Sequence, residues 1–492
     1  MNCRLILLIS VSLALPTAAR ADLVSDWNGT LIEAIRATPA KSNPGNSTRA
    51  MAMMNATIYD VFQAINRTHS PFMVDDSAPG ASLEAAVAQA AYRTLADSYG
   101  EQQAMLDTVL AARLSAIPDS PAKTAGLALG DSVATQYIST RSSDGWDQPD
   151  VYVPTGLPGH WSQDPDHAPQ TAWGQAWGSV TPWAINNPDQ FDAVLHLPAL
   201  SSVEYAEAFQ QVKEFGALTS ASRTSDQTEI ALFWAYDRFG MGPPPILFNN
   251  ALDSISAAVG STLADRARLF ALASVAMADA VIAAWDVKYE TDLWRPITAI
   301  RADAVHDDEN PLTVEDASWT PLGAPDGDPN ASAGDFTPPF PAYTSGHATM
   351  GGAAFKALEL FYGTNDFSVA DAMIGVDPVT GQFTLTSQEP GGGGSRDYVQ
   401  FAQTGPLDLG SENSPEGENA TSRVYLGIHW LFDGTDGIAL GHAVAEDVVA
   451  NHFQAVAEPG TISLGAVAVL ALGFLRRRAP GCSPVRTGAR RP

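Results

Sequence analysis

Apolar residues recur at three- and four-residue steps along most of this chain, the spacing that lines one face of an α-helix. The pattern is clear in AMAMMNATIYDVFQAI (50–65), EAAVAQAAYRTLADSY (84–99) and SPAKTAGLALGDSVATQYIS (120–139). It resumes from Ser201 and runs through DQTEIALFWAYD, PILFNNALDSISAAV and the long RARLFALASVAMADAVIAAWDVKYE. Another helix is predicted from about Ser345, and two last helices through His429 and Val448. Between them lie a loop-rich insert from Ser142 to about Pro198, a Pro/Gly/Asp-rich loop over Arg301–Ala342 and a Gly-rich loop at Gly391–Gly394. Alternating strand patterns are scarce. The prediction is an all-α fold of two packed helical bundles with long Pro/Gly-rich loops. The insert carries Trp146, Trp161, Trp173, Trp177 and Trp183, which read as lid or packing residues over the helices, with a ligand cage as the alternative.

Composition changes this picture mainly at the two ends. Residues 1–21 read as a secretory leader: Arg4, an apolar run over Leu5–Leu15, and Ala19 and Ala21 as a small-x-small cleavage site. The far end, 457–492, holds Glu458-Pro459, an apolar stretch over Thr461–Leu475 and the cluster Arg476, Arg477, Arg478. That order resembles a bacterial PEP-CTERM sorting signal, with Ala457 in place of the usual leading proline; the alternative is an ordinary C-terminal anchor. The expectation is an exported protein with possible membrane or cell-surface attachment through this tail. Between the ends, 22–200 is read as an N-terminal helical region with the Trp-rich insert, and 201–456 as the bundle that carries the chemistry.

The formal charge is −28. Without the two end segments, 19 basic residues face 54 acidic ones. Such a surface repels nucleic acid and anionic membranes, although a local cluster of cations still dominates the field inside a cleft. Both cysteines, Cys3 and Cys482, lie in the end segments, so the central domain has no disulfide or thiolate metal site to rely on.

Candidate chemistry concentrates in three motifs after Trp285. KYETDLWRP places Lys288 and Arg295 seven residues apart, nearly two helical turns, so that both side chains are expected to leave one helix face together. Asp292, four residues after Lys288, offers the plainer alternative of a surface ion pair. In PPFPAYTSGHATMGG, Ser345 suits a helix N-cap, whose amides favour an anion. Gly346 allows close backbone approach, and His347 projects from the first turn. In ENATSRVYLGIHWLFDG, Asp433 follows His429 by four residues, so its carboxylate is expected to orient the imidazole. Arg423, off that helical face, is expected at a turn entering the helix. His442 and His452 read as structural. Together the motifs supply three cations, a hydroxyl and amide, and two histidines: equipment for holding a tetrahedral oxyanion and doing chemistry on it.

In their order, K-x6-R-P, S-G-H and S-R-x5-H-x3-D, these motifs resemble the vanadium-dependent haloperoxidases within the type 2 phosphatidic acid phosphatase superfamily. The wording around SGH and SR is similar to vanadium chloroperoxidase-type enzymes, with support from WTPLGAP (319–325) and DQTEIALFWAYD. The resemblance implies that Lys288, Arg295, Ser345, Gly346 and Arg423 bind vanadate oxygens and that His429 ligates vanadium. It further implies that His347 bonds the apical oxygen as an acid–base, and that Lys288 polarises bound peroxide. Catalysis would thus rest on His347, His429 and Lys288. Trp285 and Phe340 match halide-pocket positions, and Phe340 stands where seaweed bromoperoxidases have histidine. Asp237 is a candidate carboxylate for Arg423, and Asp433 supports His429. Thr344 stands where the family usually has proline, an exchange expected to loosen the loop.

The implied reaction is oxidation of chloride or bromide by hydrogen peroxide to hypohalous acid, which halogenates a small organic acceptor. Phosphate is expected to compete with vanadate for the same site. The alternative is a secreted acid phosphatase of the same superfamily, with His429 as nucleophile through a phosphohistidine and His347 protonating the leaving alcohol. An apolar pocket at Trp285 and Phe340 suits a desolvated halide better than a polar phosphoester.

Overall fold

The computed structural model describes residues 22–302, 310–326, 335–365 and 382–456. The leader over 1–21 and the tail over 457–492 lie outside the described residues. Helices dominate, as the apolar spacing predicts. In order they are α1 (Leu23–Arg36), α2 (Pro44–Asn66), α3 (Leu83–Ser98), α4 (Gln103–Ser115), α5 (Pro121–Arg141), α6 (Val203–Phe215) and α7 (Ser225–Phe233). There follow α8 (Pro245–Ala258), α9 (Leu263–Thr291), α10 (Pro296–Ile300), α11 (Gly346–Tyr362), α12 (Pro415–Tyr425) and α13 (Leu431–Asn451). Among the described residues the one sheet is a ribbon of β1 (Phe383–Thr386) antiparallel to β2 (Ser395–Tyr398), with Phe383 opposite Tyr398. Its strands are too short for a period-two pattern to stand out, so the sequence shows only the Gly-rich turn that joins them.

Local chemistry starts the helices where they start. Asn43, Ser82 and Ser120 each accept a hydrogen bond from the third helical amide, and Pro44 and Pro121 occupy first-turn positions that need no donor. Thr224 with Gln227, and Thr262 with Asp265, form reciprocal capping boxes at α7 and α9.

The axis of the molecule is α9. Its length and apolarity would suffice to cross a membrane, but nearly all of its apolar window is buried in the protein core. It packs against α2, α11 and α13, and the larger hydrophobic core runs from Val24 to Phe453. A smaller core around Tyr205, Phe209, Trp294, Trp319 and Trp430 lies behind α10 and the start of α13. Of the insert's tryptophans, Trp161, Trp177 and Trp183 are buried, while Trp146 and Trp173 pack partly buried against the larger core.

Close approach of α11 and α13 sets the site geometry. A Cβ on Gly441 would stand 2.3 Å from the Thr349 carbonyl oxygen, and one on Gly352 would stand 2.9 Å from that of Ile438. Larger residues at these crossings would push the helices apart. The contact brings the Ser345 amide to the Asp433 carbonyl at 2.9 Å, so the openings of the two helices are joined directly.

Candidate active site

The first motif is arranged differently from its spacing. Lys288 is in the last turn of α9, but the helix stops at Thr291 and Asp292 takes a left-handed conformation with φ 53°. Arg295 therefore stands on another element, as the N-cap of α10, with Pro296 opening that helix. The two cations converge by a chain reversal and not along one helix face. Asp292 does not pair with Lys288; it accepts from Tyr152 Oη at 2.6 Å and His160 Nδ1 at 2.9 Å.

Lys288 is fully buried and donates to the carbonyls of Pro341 and Ala342, each at 3.0 Å, and to that of Thr344. Burial, reinforced by Arg295, holds its ammonium well below the usual lysine value, while Asp433 opposes the shift. Arg295 donates from Nε to the Phe340 carbonyl at 2.8 Å. Its Nη1 faces the Ile428 carbonyl at 2.8 Å and His429 Nε2 at 2.9 Å. Burial lowers this guanidinium to about 9, so it remains a cation near neutral pH.

Arg423 lies in the last turn of α12, leaving a helix where the sequence suggested a turn entering one. Its Nη2 donates to Asp237 at 2.6 Å, so the pairing expected for Asp237 is present. Asp237 itself is not on α7, which ends at Phe233; the chain turns away through Tyr236 at φ 44° and carries Ala235 and Asp237 over the site.

His429 precedes α13 by two residues, and Asp433 is the third residue of that helix. Their bond, Nδ1 to Oδ2 at 2.8 Å, forms as expected although only the aspartate is helical. Donation from Nδ1–H leaves Nε2 with its lone pair, toward Arg295. Burial and the three neighbouring cations keep the ring neutral, with its basicity well below the ordinary histidine range. Asp433 is itself raised to about 7 by burial, against Lys288 and the Trp430 amide.

Ser345 caps α11, its hydroxyl accepting from the Ala348 amide at 3.4 Å, so Gly346 and His347 form the first turn. A side chain on Gly346 would press against Trp285 at 3.0 Å. His347 donates from Nε2 to the Ala235 carbonyl at 2.8 Å and lies 3.9 Å from Asp237. Burial and then Arg423 depress its basicity strongly, so it too is neutral. Beside this cluster, Trp285 and Phe340 pack with ring centroids 5.1 Å apart. Lys288 Nζ lies 5.5 and 5.2 Å from their centres.

Thr344 corrects one expectation. It is fully buried, its hydroxyl lies 3.2 Å from that of Thr349, and its carbonyl binds Lys288, so the loop is anchored without the proline. Groups that sequence reasoning missed are mostly backbone carbonyls, at Ala235, Pro341, Ala342 and Ile428, which no side chain marks. Asn419 was also passed over. Its Nδ2 donates to the His347 carbonyl at 2.8 Å, and its place inside ENATSR was the available signal.

Three buried cations thus face Asp237, Asp433 and two neutral histidines. Within the cluster, Arg295 Nη2 and Arg423 Nε are buried donors without a hydrogen-bond partner in the structure. Burying such donors unpaired costs about 1–3 kcal/mol each, and more for charged groups, which an oxyanion would relieve. Among the described residues no group of three or more His, Cys, Asp or Glu side chains is placed to hold a metal ion directly. This donor set fits a metal arriving as an oxyanion, with nitrogen donors for its oxygens and one histidine lone pair for its centre.

Comparison with known proteins agrees with this geometry. Residues 268–458 match the family model described as the VCPO second helical-bundle domain. The chain is 34% identical over 259 residues to vanadium chloroperoxidase of Curvularia inaequalis, a stretch covering 47% of this chain and 41% of that protein. It therefore spans less than half the length of that curated relative. The solved structure of a bacterial vanadium-dependent iodoperoxidase superposes with a TM-score of 0.69 at 21% identity, over 89% of this chain and 98% of that one. A holo-type bacterial vanadium-dependent chloroperoxidase gives 0.60 at 14% identity, over 84% and 93%. The chain has the fold of the bacterial vanadium-dependent haloperoxidase structures, and its residues 268–458 match the model of the VCPO second helical-bundle domain.

Proposed function

We propose that this protein is a vanadate-dependent haloperoxidase, which uses hydrogen peroxide to oxidise halide to hypohalous acid for halogenation of an organic acceptor. The observation that carries the reading is the buried trio Lys288, Arg295 and Arg423, with unpaired guanidinium N–H groups beside a neutral His429 whose Nε2 lone pair faces Arg295. The relatives named above, two chloroperoxidases and an iodoperoxidase, point the same way.

Lys288, Arg295, Arg423, the Ser345 hydroxyl and the Gly346 amide would hold the vanadate oxygens, and His429 Nε2 would ligate the metal. Bound there, vanadate supplies a high-valent Lewis acid that activates peroxide toward halide. The protein does the rest by orientation. Asp433 fixes the His429 tautomer by taking Nδ1–H, and three carbonyls fix the Lys288 ammonium so that its charge stays in place. His347, neutral in its buried setting and with Nε2–H on the Ala235 carbonyl, would take up and return a proton at Nδ1. Asp237 holds Arg423. Trp285 and Phe340 make an apolar wall against which a weakly hydrated halide loses its water at less cost than a phosphoester would.

The test is halide oxidation with peroxide, with and without vanadate, alongside phosphomonoester hydrolysis by the vanadate-free protein. Vanadate-dependent oxidation is expected. Hydrolysis without any halide oxidation would establish the phosphatase alternative.

We also propose that the protein is exported. The leader-like 1–21 and the Glu-Pro, apolar and triple-arginine order of 457–492 support export, with the tail acting as an anchor or sorting signal. Truncation after Ala457 should then release a soluble protein of unchanged specific activity.

A further inference from the structure

A cavity of about 440 Å³ lies against the site, and Asp237 and Phe340 line it. Phe340 therefore has two neighbourhoods. Lys288 Nζ and the Arg295 guanidinium stand 5.2 and 5.0 Å from its ring centre, and its ring also forms part of the cavity wall. The wall continues through Trp173, 6.1 Å from Phe340 by ring centroids, and Phe336. Two arginines, Arg36 and Arg238, line the same space. Each is anchored by part of its donor set: Arg36 on the Met241 carbonyl and Gln388, Arg238 on Glu389.

A diffusible hypohalous acid needs no such chamber. An aromatic-walled space of this size beside the oxidising centre suits a flat organic molecule, since cavities of about 300–1,000 Å³ with a few placed polar groups are the usual form of small-ligand sites. The chemistry narrows the class. The acceptor of an electrophilic halogen has to be electron-rich, ring faces on Trp173, Phe336 and Phe340 favour stacking, and guanidinium N–H groups favour an oxygen acceptor.

We propose that this cavity binds the organic acceptor, a phenolic aromatic of one or two rings, so that halogenation takes place on a bound substrate; this deepens, and rests on, the haloperoxidase reading. In the transfer step a ring carbon attacks the halogen of hypohalous acid, the halogen–oxygen bond breaks and a carbon–halogen bond forms. The displaced ring proton leaves with the hydroxide as water. Arg36 and Arg238 orient the hydroxyl, and the ring lies toward Phe340.

2-Naphthol is a suitable probe. Titrated calorimetrically into vanadate-loaded protein without peroxide, it should bind saturably with one molecule per chain. Phe239→Ala, which removes a half-exposed ring from the cavity wall, should weaken binding up to about tenfold. Ser42→Phe, which adds a ring at another part of the wall, should weaken it further. In turnover, halogenation of 2-naphthol should persist in excess taurine, which consumes free hypohalous acid. Lack of saturable binding, binding unchanged in both variants, or naphthol halogenation suppressed by taurine would each overturn the proposal. Iodide oxidation measured without any organic acceptor judges the haloperoxidase reading separately, because it requires no occupant of the cavity.

Discussion

Two clusters of buried arginines are built to opposite ends in this molecule. Arg49 and Arg141 share one carboxylate oxygen of Asp144, each at 2.9 Å, and spend further donors on the carbonyls of Arg141, Thr181 and Pro182. Their planes lie over Trp146 and Trp183, and no buried polar side-chain atom in the cluster lacks a partner. Arg295 and Arg423 are buried as deeply, yet retain donors without partners and have a third cation beside them. A buried arginine alone therefore says little about function. Unspent donors converging on one point, with like charges held together against their repulsion, distinguish a binding site from a structural knot.

The sharpest break between the two clusters should come from His429→Ala. Removing the one nitrogen that offers a lone pair to the cation trio should abolish vanadium retention and lower turnover by at least about a thousandfold. The variant should still fold, as read by circular dichroism, while its vanadium content falls to background. Equal vanadium in variant and wild type would defeat the assignment.

Arg49→Met should do the reverse. It leaves Asp144 facing a single arginine and should cost about 3–5 kcal/mol of stability, while oxyanion affinity stays unchanged. Denaturant titration with a phosphate-binding measurement on the same protein checks both halves.

The structural cluster should also carry a pH signature. Asp279, on α9, accepts from the amides of Trp183, Ala184 and Ile185, and burial raises it to about 6, against those bonds and Arg141. A carboxyl whose folded value is raised binds more protons folded than unfolded. Its contribution is complete below about pH 4 and is lost as pH rises through about 6, a change of about 3 kcal/mol. Stability measured between about pH 4 and 6 should fall through this term, and Asp279→Asn should remove that part of the slope.

Oxyanion binding should stabilise the functional cluster alone. Phosphate at a hundred times its Kd should add about 2.7 kcal/mol to unfolding. Lys288→Met should erase most of this shift; an undiminished shift would place the anion elsewhere. The smallest effect belongs to Thr344→Val, which removes the hydroxyl contact to Thr349 but keeps the carbonyl that binds Lys288. It should cost about 1 kcal/mol, with turnover within a few-fold of wild type.

The helices were legible in the sequence because their signals are local. Apolar spacing and capping residues such as Ser82, Ser120 and Thr262 act within a few residues, and Ser345 and the His429–Asp433 pair operate at ranges that a motif spans. Lys288 and Arg295 show where local reasoning stops. Seven residues of helix would have aligned them, but the left-handed Asp292, held by Tyr152 and His160 from the insert, ends the helix and re-aims the chain.

By itself, then, the sequence determined which cations, histidines and carboxylates enter the buried cluster and that they would be helix-borne or helix-adjacent, since residue type and short-range pattern encode both. Only the tertiary structure decided how they meet. The carbonyls that hold Lys288, the Ala235 oxygen that receives His347, and the glycine crossings that join α11 to α13 come from backbone brought together across long stretches of chain. A carbonyl is the same group in every residue, so nothing in the order of side chains announces it; its meaning arises from burial, where a donor has no water to turn to and takes the partner that folding places beside it.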